Sequence, residues 1–424
     1  MTPSTYAATT APRHQPGTVR SALANRDFRI LWFGSFASNI GTWMQNVTLG
    51  VYANTVSHGS AKFVGLIVLC QLGPLLFSPI GGVFADRFPR RPFLMSCQAE
   101  QMVFSFVLAG LAAAHPSKLA VALVVLAVGV GNALNAPAWS AALPAIVGRD
   151  NLQGAISLNS TMVNGSRVIG PVVVAVLSAF GVTTAGIFAI NAVTYLFVIG
   201  ALTLVAIPNP RTRTGEGPLT QLLGGFREAR RNRLAGRILT ILPLFSLLCL
   251  PFVGLFSIVA KRNFGLNPKG TTYPWLYATW GLGACLGGLS IATVFAHVDK
   301  RRMTRWFLYG FAISLGAFAV VRRSSEAFPV GFLLGFCYFG ATTAMLTVLQ
   351  QHIRDGVRGR IMALWFMGFG GAVAVTQYPS GWLMDRFSVT PVLLVGAGAA
   401  LLLGWFANLA PLSDHVRALG LAAD

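Results

Sequence analysis

Long apolar runs separated by short polar breaks recur from one end of this chain to the other. A membrane-crossing helix needs roughly 20 mostly apolar residues. Twelve stretches approach or reach that length, near 28–52, 63–84, 92–114, 118–140, 155–178, 183–206, 237–260, 272–296, 304–321, 328–350, 360–383 and 391–410. The pattern predicts an all-α polytopic membrane protein of twelve transmembrane helices. The longest polar stretch, Pro208–Arg237, divides them into six and six. It opens with Pro-Asn-Pro-Arg-Thr-Arg-Thr-Gly, a linker composition. It continues as Leu219–Arg233, where Leu222, Leu223 and Phe226 lie beside a basic face. That segment reads either as an amphipathic helix on the inner leaflet or as a solvated linker helix. The expected organisation is a disordered tail at 1–24, a six-helix half at 25–207, a linker at 208–236, a second six-helix half at 237–410 and a tail at 411–424.

Composition sharpens this picture. The chain is 54% hydrophobic and 10% charged, with mean hydropathy +0.64, against roughly 25% charged residues in soluble domains. Residues 1–24 are rich in Pro, Thr and Ala and lack an apolar core, so no cleavable signal peptide is expected. The five cysteines (Cys70, Cys97, Cys249, Cys285, Cys337) all fall within spans and show no paired ligand spacing, which argues against disulfides and metal.

A net charge of +20 suits a nucleic-acid binder, but its distribution points elsewhere. With the N-terminus inside, eight basic residues fall on the opposite face: Lys62, Lys118, Lys261, Arg262, Lys269, Arg322, Arg323 and Arg386. Twenty-three fall on the N-terminal face. The positive-inside rule then places both termini in the cytoplasm of a bacterial inner-membrane protein and makes nucleic acid an unsuitable partner.

The two halves show weak internal repetition. Gly154-Ala-Ile-Ser-Leu158 enters the fifth span much as Arg360-Ile-Met-Ala-Leu364 enters the eleventh. Gly287-Gly288 followed by Asp299-Lys-Arg-Arg302 is a degraded copy of Gly81-Gly82 followed by Asp86 to Arg91. The better-preserved copy, Gly82-Val-Phe-Ala-Asp86-Arg87-Phe-Pro-Arg90-Arg91, resembles the G-x-L-a-D-R-x-G-R-[KR] loop of the major facilitator superfamily, with Phe84 for Leu and Pro89 for Gly. Three further segments resemble the branch of that superfamily that holds enterobactin exporters, macrolide efflux proteins and transmembrane secretion effectors. They are Asn25-Arg-Asp-Phe28-Arg-Ile-Leu-Trp32 leading to Gly41-Thr-Trp43-Met-Gln45; Asn159 through Asn164-Gly-Ser-Arg167-Val-Ile-Gly170-Pro171; and Arg358-Gly359-Arg360 after Asp355. The resemblance covers about 25–410. It implies two six-helix pseudo-repeats, substrate held near the midplane between them, and a gating role for Asp86, Arg87, Arg90 and Arg91. Of the span-5 antiporter signature G-x-x-x-G-P-x-x-G-G, Gly170-Pro171 remains, while Ser166 and Val174-Ala175 depart from it. Gly170 and Pro171 therefore retain close packing, while the departures weaken the antiporter assignment.

Charges inside a bilayer are expensive, about 2.5–3.5 kcal/mol at a helix centre on insertion scales. Two stand out: Arg167 in the fifth span and Glu100 in the third. Arg167, with Asn164 on its face at i−3, reads as a central cation for an anionic or polar substrate, or as a structural arginine satisfied by carbonyls and asparagines. Glu100 reads as a support residue bonded to its neighbours or as a proton-coupling group. Neutral candidates for the pathway are Asn39, Trp43 and Asn46 on one face of the first span, Gln71, Asn132, Asn135 and Gln377. The eighth, tenth and eleventh spans add Tyr277, Trp280, Phe336, Tyr338, Trp365, Phe366 and Phe369, which suit a partly aromatic solute or packing against lipid.

Nothing suggests soluble catalysis. A P-loop is missing and the six histidines fall near loops or tails, so no cofactor is expected and ATP is not the direct energy source. The resemblance implies a monomeric secondary transporter that moves a hydrophobic or amphiphilic small molecule outward against protons, among membrane lipids. An importer or lipid flippase on the same fold is the alternative.

Overall fold

The computed structural model describes residues 17–77, 84, 88–114, 116–148, 150–208, 218–267, 270–353 and 358–407. Every regular element among them is helical. A short α1 (Val19–Ala24) leads into α2 (Arg26–Val56), whose first turn is capped by the Asn25 side chain accepting from the Phe28 N–H. Next come α3 (Ala61–Leu72), tightening into a 3₁₀ turn at Gly73–Phe77, then α4 (Arg90–Ala113), α5 (Lys118–Val147), α6 (Leu152–Ala179) and α7 (Thr184–Leu204). The linker carries α8 (Pro218–Arg231). Beyond it lie α9 (Arg233–Cys249), α10 (Pro251–Gly254), α11 (Phe256–Phe264), α12 (Thr272–Ala292), α13 (Lys300–Val320) and α14 (Ser324–His352). The last three are α15 (Arg358–Phe366), α16 (Ala372–Phe387) and α17 (Val389–Phe406), with a single π-helical turn, Met367–Gly371, joining α15 to α16.

Several expected spans are modified for identifiable reasons. The stretch 237–260 is not one helix. Pro251 has no N–H to continue the ladder, and the chain breaks at Leu250 into α9, α10 and α11. The fourth stretch runs past its expected end to Val147, accommodating Pro137 and Pro144 within α5. Helices α8 and α9 meet at 116° around Asn232, whose side chain caps α9 through the Leu234 and Ala235 N–H groups. In the linker helix, Gly225 lies close against the Arg360 carbonyl and the Leu364 side chain of α15.

Among the described residues, eight helices are long and apolar enough to cross a membrane, or nine if the bent α8–α9 pair counts as one. Helices α2 and α12 miss that standard, and α3 with its 3₁₀ turn is shorter. These more polar or broken elements turn out to surround the centre of the bundle.

Helix α2 packs on α6 and α7, α4 on α5 and α7, and α3 on α5. In the second set α12 and α13 pack on α14, α13 on α17, and α9 on α16 and α17. The sets join where α3 lies against α16 and α6 against α12. The α3–α16 contact is antiparallel and very close: a Cβ on Gly65 would strike the Gln377 carbonyl, and one on Gly381 would strike the Ala61 carbonyl. An aromatic core built on Phe252, Phe256, Phe311, Phe318 and Trp280 fills the second set.

Candidate functional site

Where α2, α3, α10, α11, α12 and α16 converge they enclose a cavity of about 130 Å³. Its polar lining comes from Asn46 on α2 and Gln71 on α3, and its aromatic lining from Trp43, Phe256, Tyr273 and Tyr277. The Gln71 Nε2 donates to Asn46 Oδ1 at 2.6 Å, so each amide meets part of the other's need away from water. Removing one partner strands the other: Gln71→Leu should cost about 1–3 kcal/mol of stability. Asn46→Leu combined with Gln71→Leu should cost less than the two single changes added together. Thermal unfolding of the purified variants in detergent checks both expectations.

Arg167 stands beside this cavity on α6. Its guanidinium carbon lies 4.1 Å from the Phe339 ring centroid and 5.0 Å from that of Trp43, so α14 and α2 flank it with aromatic faces. Both contacts fall within cation–π range. The Nε and Nη1 atoms are buried without a hydrogen-bond partner, and Arg167 makes no ion pair among the described residues. Helix α12 closes against it, because Gly281 brings its backbone to the Arg167 carbonyl. Behind Phe339, Tyr338 stacks on Trp280 and Phe369. The arrangement presents unused donors between two apolar planes. It can receive an anionic or acceptor-bearing group attached to a flat apolar body.

The other expected site residues distribute around this centre. Asn164 does not reach Arg167; its Nδ2 donates to the Ser160 carbonyl at 3.0 Å and the Ser160 hydroxyl at 3.3 Å. Asn39 likewise bonds back to the Ser35 carbonyl. Asn135 accepts from Gln98 at 3.1 Å, tying α5 to α4, and Asn132 is half-buried on the same helix. Gln377 is fully buried and donates to the Leu250 carbonyl, while Thr376 donates to the Leu247 carbonyl, the group left free because Pro251 has no N–H. Trp280 is packed in the aromatic core with its indole N–H unpartnered, Trp365 is buried, and Phe366 is exposed. Glu100 sits on α4 pressed against Gly131 of α5, and its Oε2 is buried with no hydrogen-bond partner. Gly170 brings α6 onto the Trp43–Met44 stretch of α2, with Pro171 following inside α6.

The charged turn is only partly in view. Asp86 and Arg87 lie outside the described residues. Arg91 donates to the Thr203 carbonyl at 2.6 Å, and Arg90 reaches the Pro208 carbonyl at 3.5 Å. Arg91 therefore holds the C-terminal end of α7, where cations complement the free carbonyls, and Arg90 the segment just beyond it.

Three features have no counterpart among the sequence expectations. Buried Gln45, Asn191 and Ser105 form a network across α2, α7 and α4, with Asn191 donating to Gln45 at 2.8 Å. Asp385 and Arg262 form an ion pair of 2.6 Å at the start of α3. A groove of about 1120 Å³ opens between α8, α9 and α16, with apolar walls and Arg230, Arg233 and Arg237 among its lining. The first two could have been suspected from polar side chains inside apolar runs, but their partners are remote in sequence.

Solved transporters share this fold. The nucleoside transporter NupG superposes with a TM-score of 0.72 at 14% identity, covering 89% of this chain and 97% of that one. A bacterial homologue of the iron transporter ferroportin, in its inward-facing state, gives 0.68 at 18% identity, covering 90% and 98%. The sequence profile of the transmembrane secretion effector family matches residues 18–418, and the chain belongs to that family of the major facilitator superfamily. Curated relatives include the enterobactin exporter EntS of Escherichia coli O127:H6 (strain E2348/69 / EPEC), 28% identical over 340 residues and 80% of each chain. The EntS of Shigella boydii serotype 18 (strain CDC 3083-94 / BS512) matches equally, at 28% over the same length. The protein is accordingly a multi-pass membrane transporter of a small molecule and not an enzyme.

Proposed function

We propose that this protein exports an amphiphilic small molecule bearing an anionic or acceptor-rich group, by alternating access driven by the proton gradient. The observation that carries the reading is Arg167, buried with unused donors between Trp43 and Phe339. Relatives named for enterobactin export support the outward direction and the siderophore-like end of the substrate range.

Twelve spans in two six-helix halves fit the packing: α12 on α14 answers α3 on α5, and α13 on α17 answers α4 on α7. Both termini are cytoplasmic in this reading, with Arg230, Arg233 and Arg237 meeting anionic headgroups of the inner leaflet. Asp86 with Arg87 serves as an inner gate, Gly170 and Pro171 let α6 move, and Glu100 is the candidate proton carrier. The monomer is the working unit.

Expressed in an efflux-deficient bacterium, the protein should raise tolerance to some amphiphilic anions by about fourfold or more, and a protonophore should abolish the gain. Counter-flow in inverted and right-side-out vesicles separates this reading from the importer or flippase alternative. Transport that ignores the gradient and requires ATP would sink it.

A further inference from the structure

The start of α3 is capped from another helix. Ser60, its N-cap, accepts the Phe63 N–H, leaving the Ala61 and Lys62 N–H groups without a partner on their own segment. Asp385, in the last turn of α16, takes both: Oδ1 accepts from Ala61 and Oδ2 from Lys62, each at 2.9 Å. Oδ2 also accepts the Ser60 hydroxyl at 3.0 Å. Arg262, in the last turn of α11, completes the joint. Its Nη2 donates to Asp385 Oδ1 at 2.6 Å and to the Gly59 carbonyl at 2.7 Å, and its Nη1 to the Met384 carbonyl at 2.8 Å. One carboxylate and one guanidinium therefore bind three segments, two of them remote in sequence from the third. The only other ion pair among the described residues, Arg323–Glu326, lies three residues apart and at 3.9 Å.

The local sequence repeats one already met. Gly381-Trp-Leu-Met-Asp385-Arg386-Phe387 has the form of Gly82-Val-Phe-Ala-Asp86-Arg87-Phe88: a glycine, three apolar residues, then Asp-Arg-Phe. The first copy follows the apolar stretch of α3 in sequence and, apart from Phe84 and Phe88, lies outside the described residues; the second closes α16, which runs antiparallel to α3. Below Asp385 the seam is tight. Gly381 and Gly65 let the two backbones touch, and Ser257 of α11 donates to the Gly50 carbonyl of α2 at 2.9 Å.

We propose that Asp385 and Arg262 form the outer clasp of the transport cycle, the counterpart of the Asp86 gate. This rests on the alternating-access reading above. With the clasp made, as here, the ends of α3, α11 and α16 seal the extracellular side. Outward opening requires the four bonds that join the two halves here, from Ser60, Ala61 and Lys62 to Asp385 and from Arg262 to the Gly59 carbonyl, to break together. The carboxylate is matched to a helix N-terminus as well as to a cation, and both interactions favour its negative charge. Lys62 and Lys261 stand nearby without joining the pair. Lys62 lies over the Tyr378 ring, and the Lys261 ammonium faces Gly59. Arg386 extends over Phe387 instead. Asp385 and Arg262 are thus positioning residues that set which side the centre faces.

The test uses Leu49→Cys, a buried position lining the 130 Å³ cavity, in full-length protein whose five native cysteines are replaced. Intact cells are treated with a membrane-impermeant maleimide. Asp385→Asn should raise the external labelling rate by about tenfold or more, since one decade corresponds to about 1.4 kcal/mol of shifted equilibrium. Arg262→Gln, which leaves the two backbone bonds of Asp385 in place, should raise it less, and Asp385→Glu should restore most of the protection. If Asp385→Asn fails to accumulate, Arg262→Gln carries the same test. Unchanged labelling in the accumulated variants overturns the clasp. Labelling needs no substrate, so that result is separate from failure of export in the vesicle and tolerance assays.

Discussion

Arg167→Ala should reach the membrane in near-normal amount and transport at less than about a tenth of the wild-type rate. Charge-assisted hydrogen bonds contribute about 1.5–3 kcal/mol each, so losing one to substrate is worth at least a decade. The guanidinium has no partner whose loss would strand another buried charge, because Nε and Nη1 are unbonded and no ion pair is present among the described residues. Folding should therefore tolerate its removal. Arg167→Lys keeps the charge but loses the planar fork and the flat stacking surface against Phe339 and Trp43. It should fall between Ala and wild type. Quantified membrane fractions beside efflux rates check the prediction. Loss of the protein from the membrane in the Ala variant would make Arg167 a structural cation, and full activity would move the pathway elsewhere.

Gly170→Leu should leave little folded protein, while Gly170→Ala should accumulate with reduced thermal stability. A Cβ at this position falls 2.6 Å from the Trp43 Cβ and 3.0 Å from the Met44 nitrogen, both anchored in α2. Backbone cannot retreat as a side-chain tip can, so even one carbon forces α6 away from α2. Overpacking of this kind costs about 1–3 kcal/mol for a single group and more for a branched side chain. The same displacement carries Arg167, one turn earlier, away from Trp43. Thermal unfolding in detergent reads the stability, and substrate protection against unfolding reads the site. A Leu variant as stable as wild type would show that the α2–α6 approach is not what Gly170 provides.

Much of the architecture was legible because a bilayer imposes a length on every crossing element. The apolar runs, the polar stretch at Pro208–Arg237 and the depth of Arg167 follow from that constraint and from counting residues. The break at Leu250 was visible too, since Pro251 and Gly254 stand in the run, but the surrounding apolarity masked it. Local spacing misled at Asn164. An asparagine within a helix has the Ser160 carbonyl one turn back as a ready acceptor, and that short-range bond prevails over a reach toward Arg167. Phe339, Asn191 and Asp385 were not legible as parts of a site. Each acquires its meaning from a partner more than a hundred residues away: Arg167, Gln45 and Ala61 respectively.

The π-helical turn at Met367–Gly371 carries a consequence for the evolution of this chain. Such a turn accommodates one residue more than an α-helix in the same rise. Deleting that residue would close the turn into regular α-helix and leave everything beyond it on the face it now occupies. Gln377, Gly381 and Asp385, spaced four apart along the seam with α3, would then keep their places on it. A single-codon loss between Ala372 and Gln377, in regular helix, would instead turn all three off the seam by about 100°. Homologous sequences should therefore tolerate a one-residue difference in length at Met367–Gly371 but not between Ala372 and Asp385.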